Sequence, residues 1–461
     1  MDEFEHGGLT RGPILQVLAK LALPIMASSF LSTAYSITDM AWIGLLGSKA
    51  VAGVGVGGMY VWLSQGFSTL ARMGGQVRVG QAIGRGDHTA ARNYATGALQ
   101  MVTAFGLLFG AVCLLFTDLL VGFFSLDDPQ TIAYAKIYLR VTCGLIIFQY
   151  IILVLTGLYT AQGDSKIPLK ANFIGLVCNM ILDPVLILGL GPVPRLEVLG
   201  AAIATVLAQF VSFSVLVYGI VKAKHHSNIL QEIHMTKLQD KHIYTGIAGI
   251  GIPAALQVSL YCGISMVLTR MVAGFGEAAI AVQRVGGQIE SLSWNTAEGF
   301  AAAMNAFAAQ NFGAGDICRV RKGYKISFWT MTIWGLAITA VFVFFPLQIS
   351  HLFFHEAEVI PVSINYLIIV GLSEAFMCVE IMAGGAISGL GNTKLVSIIS
   401  ILFTSMRIPL AIVLSKTALG LDGIWWALTI TSVLKGIILH FAFFRQCGRC
   451  ETDLCRWNCK E

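Results

Sequence analysis

The feature that most constrains this chain is a succession of apolar stretches, each about as long as a bilayer is thick. "ALQMVTAFGLLFGAVCLLF" (98–116), "VTCGLIIFQYIILVLTGLY" (141–159) and "ISFWTMTIWGLAITAVFVFF" (326–345) are three of them, and a helix needs ~20 such residues to cross hydrocarbon. Breaks at charges, glycines and prolines divide the 461 residues into twelve segments: 14–46, 51–83, 93–117, 131–160, 167–190, 198–222, 243–273, 277–312, 323–347, 359–389, 395–417 and 422–445. In lipid each segment must satisfy its own backbone polar groups, so continuous apolar runs specify helices. A membrane β-barrel would show short alternating strands instead. Only 12% of the residues are charged, against roughly 25% in a soluble domain. The expected fold is therefore an all-α polytopic membrane protein with twelve transmembrane helices.

Charge placement gives an orientation. The loops "GRGDHTAARN" (84–93), "GDSKIPLK" (163–170), "VKAKHHSN" (221–228), "GDICRVRKGYK" (315–325) and "GNTK" (391–394) are basic, whereas "SLDDPQ" (125–130) and "HEAEVI" (355–360) are acidic or neutral. The positive-inside rule puts the basic loops and both termini in the cytoplasm, and the expected location is a plasma membrane, a prokaryotic inner membrane in particular. The polar start "MDEFEHGGLTRGP" is not expected to be a cleavable signal, because the first apolar run is too long for one. Six of the ten cysteines (Cys113, Cys143, Cys178, Cys262, Cys318, Cys378) are scattered, which argues against a disulfide framework.

The chain also matches itself. At an offset of 229, Pro24 falls on Pro253, Gly47 on Gly276, Ala50 on Ala279, and Gly57-Gly58 on Gly286-Gly287. "QAIGRGDHTAAR" (81–92) falls on "QNFGAGDICRVR" (310–321), and at an offset of 228 "GDSK" falls on "GNTK". One register held over so long a stretch marks a duplication. Six segments per half is an even number, so both halves insert the same way round, as a parallel repeat with the substrate path expected between them. The expected division is an N-terminal bundle over 1–222, a cytoplasmic linker over 223–242, a C-terminal bundle over 243–445 and a Cys-rich tail over 446–461.

The repeat serves as an internal control, since what both halves share is scaffold. Asp39, in "AYSITDMAWIG" (34–44), aligns with Leu268, Asp183 with Ala411 and Asn179 with Arg407, so fold alone does not require these acids. A carboxylate among apolar residues at membrane depth is a functional-site hypothesis by default, the alternative being that each acid faces a water-filled cavity or pairs with an arginine such as Arg72 or Arg78. Asn179 and Asp183 lie four apart in "CNMILDPVLI" (178–187), on one helix face. Pro184 cannot donate to the Met180 carbonyl, which frees an oxygen and predicts a kink. Thr205 in "GAAIATVLAQ" (200–209) adds a hydroxyl. Carboxylates, an amide, a carbonyl and a hydroxyl suit a hard cation. Two acids in one pocket equally suit a shared proton.

The duplication, Pro24 followed by Asp39, "NMILDP", "GAAIAT" and the paired G-x-G-D loops together resemble the multidrug and toxic-compound extrusion (MATE) transporters over nearly the whole chain. That resemblance implies two six-helix bundles forming a V-shaped cavity and export of organic cations in exchange for Na+ or H+. It places the coupling cation at Asp39, Asn179, Asp183 and Thr205, with bending at Pro24. One branch of the family carries a glutamate in the seventh helix. "PAALQVSLYCG" (253–263) has none and offers Tyr261 near that position. Glu290, Glu298 and Glu380 are instead expected to line the cavity and attract cationic substrate, or else to pair with Arg270, Arg284 or Arg407. The expected partners are a small amphipathic substrate and membrane lipid, with no nucleic acid, and the expected assembly is a monomer. The alternative is a flippase for a lipid-linked substrate, whose cavity should be basic.

No nucleophile–base set suggests an enzyme. "GVGVGG" (53–58) follows no strand and reads as close helix packing rather than a nucleotide loop. In the tail, Cys447, Cys450, Cys455 and Cys459 have a spacing that can hold Zn2+ or an iron–sulfur cluster, the alternative being a disordered tail. No other cofactor is expected beyond the coupling ion.

Overall fold

In the computed structural model the described residues are 8–124, 126, 128–189, 194–222, 228–233, 235–354, 356 and 358–458. They form helices and no strands. The first half runs α1 (Ile14–Gly44), α2 (Ser48–Leu63), α3 (Gln65–Gly84), α4 (His88–Leu115), α5 (Thr117–Gly122), α6 (Pro129–Tyr138), α7 (Ile147–Gln162), α8 (Lys166–Leu188) and α9 (Glu197–Lys222), with a π-helical turn at Leu139–Cys143 between α6 and α7. The second half runs α10 (Lys241–Ala273), α11 (Glu277–Gly313), α12 (Ile317–Phe344), α13 (Pro346–Phe353), α14 (Val359–Gly371), α15 (Glu374–Gly389), α16 (Thr393–Ser415) and α17 (Leu421–Asn458).

The twelve expected segments are all helical, but not all unbroken. Eight helices are long and apolar enough to cross a membrane, or ten if two bent pairs are each counted as one span. Those pairs are equivalent in the repeat: Pro129–Cys143 with Ile147–Gln162, bent by 44°, and α14 with α15, bent by 46°. The two tracts that fall short, α2–α3 and α11, are also equivalent. They are more polar, carrying Arg72 and Arg78 in one half and Arg284, Glu290 and Glu298 in the other.

The repeat extends to single residues of the turns. Gly86 and Gly315 both take positive φ (75° and 78°), and the aspartate after each caps the next helix. Asp87 Oδ1 accepts from the Ala90 N–H at 2.9 Å and Asp316 Oδ1 from the Arg319 N–H at 2.8 Å. A left-handed glycine followed by a side-chain N-cap is what the G-x-G-D loops encode. "GVGVGG" proves to be helix packing. A Cβ on Gly53 would lie 2.7 Å from that of Tyr134, and one on Gly57 2.7 Å from the Tyr138 ring.

Two compact units emerge, and they do not coincide with the halves of the sequence. One comprises 1–26 and 256–461, the other 27–255. Each boundary lies just past a proline, Pro24 in α1 and Pro253 in α10. In the first unit the Leu9 N–H donates to Gln310 Oε1 at 2.8 Å, and a Cβ on Gly299 would lie 3.0 Å from the Met26 nitrogen. In the second, Arg78 Nε donates to the Gly246 carbonyl at 3.2 Å, and a Cβ on Gly251 would lie 2.1 Å from the Leu70 carbonyl oxygen. The start of each long helix is thus packed into the unit built mainly from the other half.

Candidate functional site

Within the unit 27–255, α8 and α9 set the spacing. Gly200, Ala201, Ala202 and Ala204 are small and buried. A Cβ on Gly200 would lie 2.4 Å from the Leu186 carbonyl oxygen, so only glycine admits this approach of the two backbones. Thr205 (7% exposed) on α9 and Asp183 (0% exposed) on α8 both lie within reach of Tyr35, with Asn179, also 0% exposed, one turn before Asp183. From α1, Ser28 accepts from Asn172 Nδ2 at 3.0 Å, tying α1 to α8. About two and three turns further along α1, Tyr35 and Asp39 share a face.

Asn179 Nδ2 donates to Asp183 Oδ1 at 3.1 Å. The other buried oxygens have no hydrogen-bond partner: Asp39 Oδ1, Asn179 Oδ1, Asp183 Oδ2 and Thr205 Oγ1. The Asp39 and Asp183 carboxylates lie within electrostatic reach of each other, and Tyr35 and Tyr138 within reach of both. An anion in such surroundings must take up a cation or a proton. Oxygen-only donors select hard ions over soft metals. Arg78 offers no pairing, being committed to the Gly246 carbonyl and the Tyr94 ring, 6.0 Å from its guanidinium carbon. α8 runs as an unbroken helix through Pro184, and α1 through Pro24.

The second polar region lies in the other unit. The Tyr366 hydroxyl donates to Glu290 Oε2 at 3.3 Å. Arg407 donates to the hydroxyls of Thr431 and Ser432, each at 3.0 Å, and its charge acts on both Glu290 and Tyr261. Glu380 is held by Lys435 Nζ at 2.6 Å, with the lysine side chain only 5% exposed. Of the cations weighed for these acids, Arg407 is brought near Glu290, and Lys435, which holds Glu380, was not among them. Glu298 is exposed, about two turns along α11 from Glu290. Tyr261 packs edge-on to Trp294 at 5.8 Å.

Sequence reading passed over Tyr35, Tyr138, Glu374 and Lys435. One of the tyrosines carries a signal, since Tyr138 falls on Tyr366 at an offset of 228. Cys447 is buried in the core of its unit, while Cys459 and the side chains of Cys450 and Cys455 lie outside the described residues. Among the described residues no three His, Cys, Asp or Glu gather as a metal site.

Comparison with known proteins agrees with this architecture. The MatE family model matches twice, over residues 24–185 and 253–413, once in each half. The chain is 27% identical to a probable multidrug resistance protein NorM of Thermotoga maritima, covering 94% of this chain and 92% of that one. It is 24% identical to an FAD transporter of Shewanella oneidensis, covering 96% and 97%. The outward-facing structure of a multidrug resistance MATE family transporter superposes with a TM-score of 0.88 at 22% identity, over 97% and 99% of the two chains. A duplicated helical membrane protein matched by one family model in both halves belongs to the MATE family, whose members are transporters rather than enzymes.

Proposed function

We propose that this protein is a secondary antiporter that exports amphipathic organic cations in exchange for Na+ or H+ by alternating access. The observation that carries this reading is the set of four buried, unpartnered oxygens on Asp39, Asn179, Asp183 and Thr205. That set is deficient in positive charge and built from one half of the repeat alone. Multidrug resistance relatives support the drug substrate. Cation binding neutralises the Asp39–Asp183 pair. Pro24, whose missing N–H weakens the helical ladder, lets α1 bend in response. Pro184 does the same for α8. A ligand shifts such an equilibrium only by its differential affinity for the two states. Tyr261, Glu290 and Glu298 attract the cationic substrate, whereas the charge of Glu380 is answered by Lys435. The protein works as a monomer with both termini cytoplasmic.

The test is dye efflux from cells with Na+ and proton gradients imposed separately, for wild type and Asp39→Asn. Efflux that follows one gradient and vanishes in the variant supports the antiporter and names its ion. Efflux indifferent to both gradients, or to the substitution, overturns it.

A further inference from the structure

One helix face is covered by protein in the first half of the repeat and open in the second. At an offset of 229, Asn93, Thr96 and Gln100 of α4 fall on Lys322, Lys325 and Trp329 of α12. In the first half the chain leading into α10 lies over this face. Gln100 Nε2 donates to the Met235 and Lys237 carbonyls, each at 2.9 Å, and accepts at Oε1 from the Tyr244 hydroxyl at 2.6 Å. A Cβ on Gly97 would lie 2.8 Å from Ile243 Cγ2. In the second half Lys322, Lys325 and Trp329 are all exposed, the tryptophan to 62%.

The exposed face has an ordered chemistry. α12 begins with Arg319, Arg321, Lys322 and Lys325, and of these only Arg321 has a basic counterpart in α4, Arg92. Arg319 donates to the Gly12 carbonyl at 2.9 Å. Neither Lys322 nor Lys325 has an ion-pair or hydrogen-bond partner among the described residues. Three and four residues apart along the helix, Lys322, Lys325, Trp329, Ile333 and Leu336 form one exposed stripe. Read inward from the helix start, it is basic, then aromatic, then aliphatic. At 1.5 Å per residue the stretch from Lys325 to Leu336 covers ~16 Å, about half of the ~30 Å hydrocarbon core and so one leaflet. Tryptophan at the boundary between charge and hydrocarbon is an interfacial residue.

The end of α17 adjoins this stripe. The Phe328 ring lies 5.5 Å from Trp329 and 4.5 Å from His440, and the Tyr324 ring stacks on Phe443 at 3.7 Å. On α17 Phe441 and Arg445, both exposed and one turn apart, repeat the order of an aromatic followed by a base toward the helix end.

We propose that this face of α12, with the adjoining end of α17, is a binding site for one anionic phospholipid. Lys322 and Lys325 hold the headgroup phosphate, and Arg445 adds a third positive charge at the same end. An acyl chain runs along Trp329, Ile333 and Leu336. A zwitterionic headgroup brings an ammonium of its own into this basic setting, so the site selects net negative charge. Basic residues at the end of a span attract anionic lipid in this way. The lipid takes, in the second half, the place that residues 235–244 take in the first. The site is independent of the coupling ion and of the transported substrate.

The test is native mass spectrometry of the purified full-length protein in detergent, titrated with equimolar dioleoylphosphatidylglycerol and dioleoylphosphatidylcholine. Wild type is expected to take up one phosphatidylglycerol ahead of any phosphatidylcholine. Lys322→Gln combined with Lys325→Gln is expected to weaken that first addition by about 20-fold and to abolish the preference. Trp329→Ala should weaken both lipids and leave the preference in place. Lys166→Gln combined with Lys170→Gln, which removes an exposed basic pair at the start of α8, should change neither. Phosphatidylglycerol binding that survives loss of Lys322 and Lys325 overturns the proposal. So does an equal loss from the α8 pair, which would make the preference a general attraction of surface charge. Displacement of the lipid by inorganic phosphate would also overturn it, by making a free anion the ligand.

Discussion

The neighbourhood of Asp39 and Asp183 and its mate in the second half are the same construction filled in opposite ways. Leu268 and Ala411, aligned with the two acids, are buried together with Ile264, Val272, Ala279, Ile424 and Ala427 in one continuous apolar cluster. In the first half the corresponding Ile43 and Ala50 also pack apolar, with Ile187 and Ala201. The acids are set into that frame with four oxygens unpartnered. The lesson is that this helix junction packs as an apolar cluster in one copy, so the fold itself does not require acids at these positions. The bent spans show the reverse placement, with Glu374 in the second half where the first has Ile146.

The largest effect that would sharpen this comparison is on transport. Asp183→Asn keeps shape and hydrogen bonding to Asn179 but removes the charge. Efflux is expected to fall by about 100-fold, in line with losing a buried charge from a binding set, with an unchanged melting temperature. A matching loss of stability would mean that the acid is scaffold.

Lys435→Met probes a charge of the opposite kind, one whose partner is in place at 2.6 Å. Stranding Glu380 should destabilise the protein by about 3–5 kcal/mol. Lys435→Met combined with Glu380→Met should recover most of that, which thermal unfolding will read. If the single variant is as stable as wild type, the distinction between paired structural and unpaired functional charges fails.

Gly200→Ala is expected to cost about 1–3 kcal/mol from overpacking against Leu186. Gly423→Ala should cost as much, since its Cβ would lie 2.5 Å from the Leu414 carbonyl carbon. Only Gly200→Ala displaces Thr205, so only it should also weaken ion dependence of efflux. Equal effects of the two on efflux would erase the asymmetry between the halves.

The smallest effect is at the loop before α6. Lys49 Nζ lies 2.7 Å from Asp128, and with the Thr131 N–H it holds that carboxyl down to about 2. A depressed carboxyl stabilises the fold above its unfolded value near 3.9, and that contribution is lost as pH falls toward 2. Lys49→Met should therefore flatten the melting curve's dependence on pH between about 4 and 2 and leave efflux at neutral pH untouched.

Much of this was legible in the sequence, for identifiable reasons. The helices follow from apolar runs, and the repeat offset located the G-x-G-D caps and singled out Asp39, Asn179 and Asp183. Local pattern and self-comparison carry that information directly. Neither reports which helix lies beside which, so the exchange of the first turns of α1 and α10 between units stayed hidden. For the same reason Arg270, Arg284 and Arg407 could be weighed as partners of Glu380 while Lys435, 55 residues away, went unnoticed. Glu374 was missed although the offset of 228 that sets Asp183 against Ala411 also sets it against Ile146.

The most direct test of the central claim is to give the first half the residue its mate already carries. Asp39→Leu should be measured for dye efflux and for melting temperature in the same membrane preparation. Efflux lost with the melting temperature unchanged or raised is the predicted result. A protein that still exports dye, or one that no longer folds, would contradict the account.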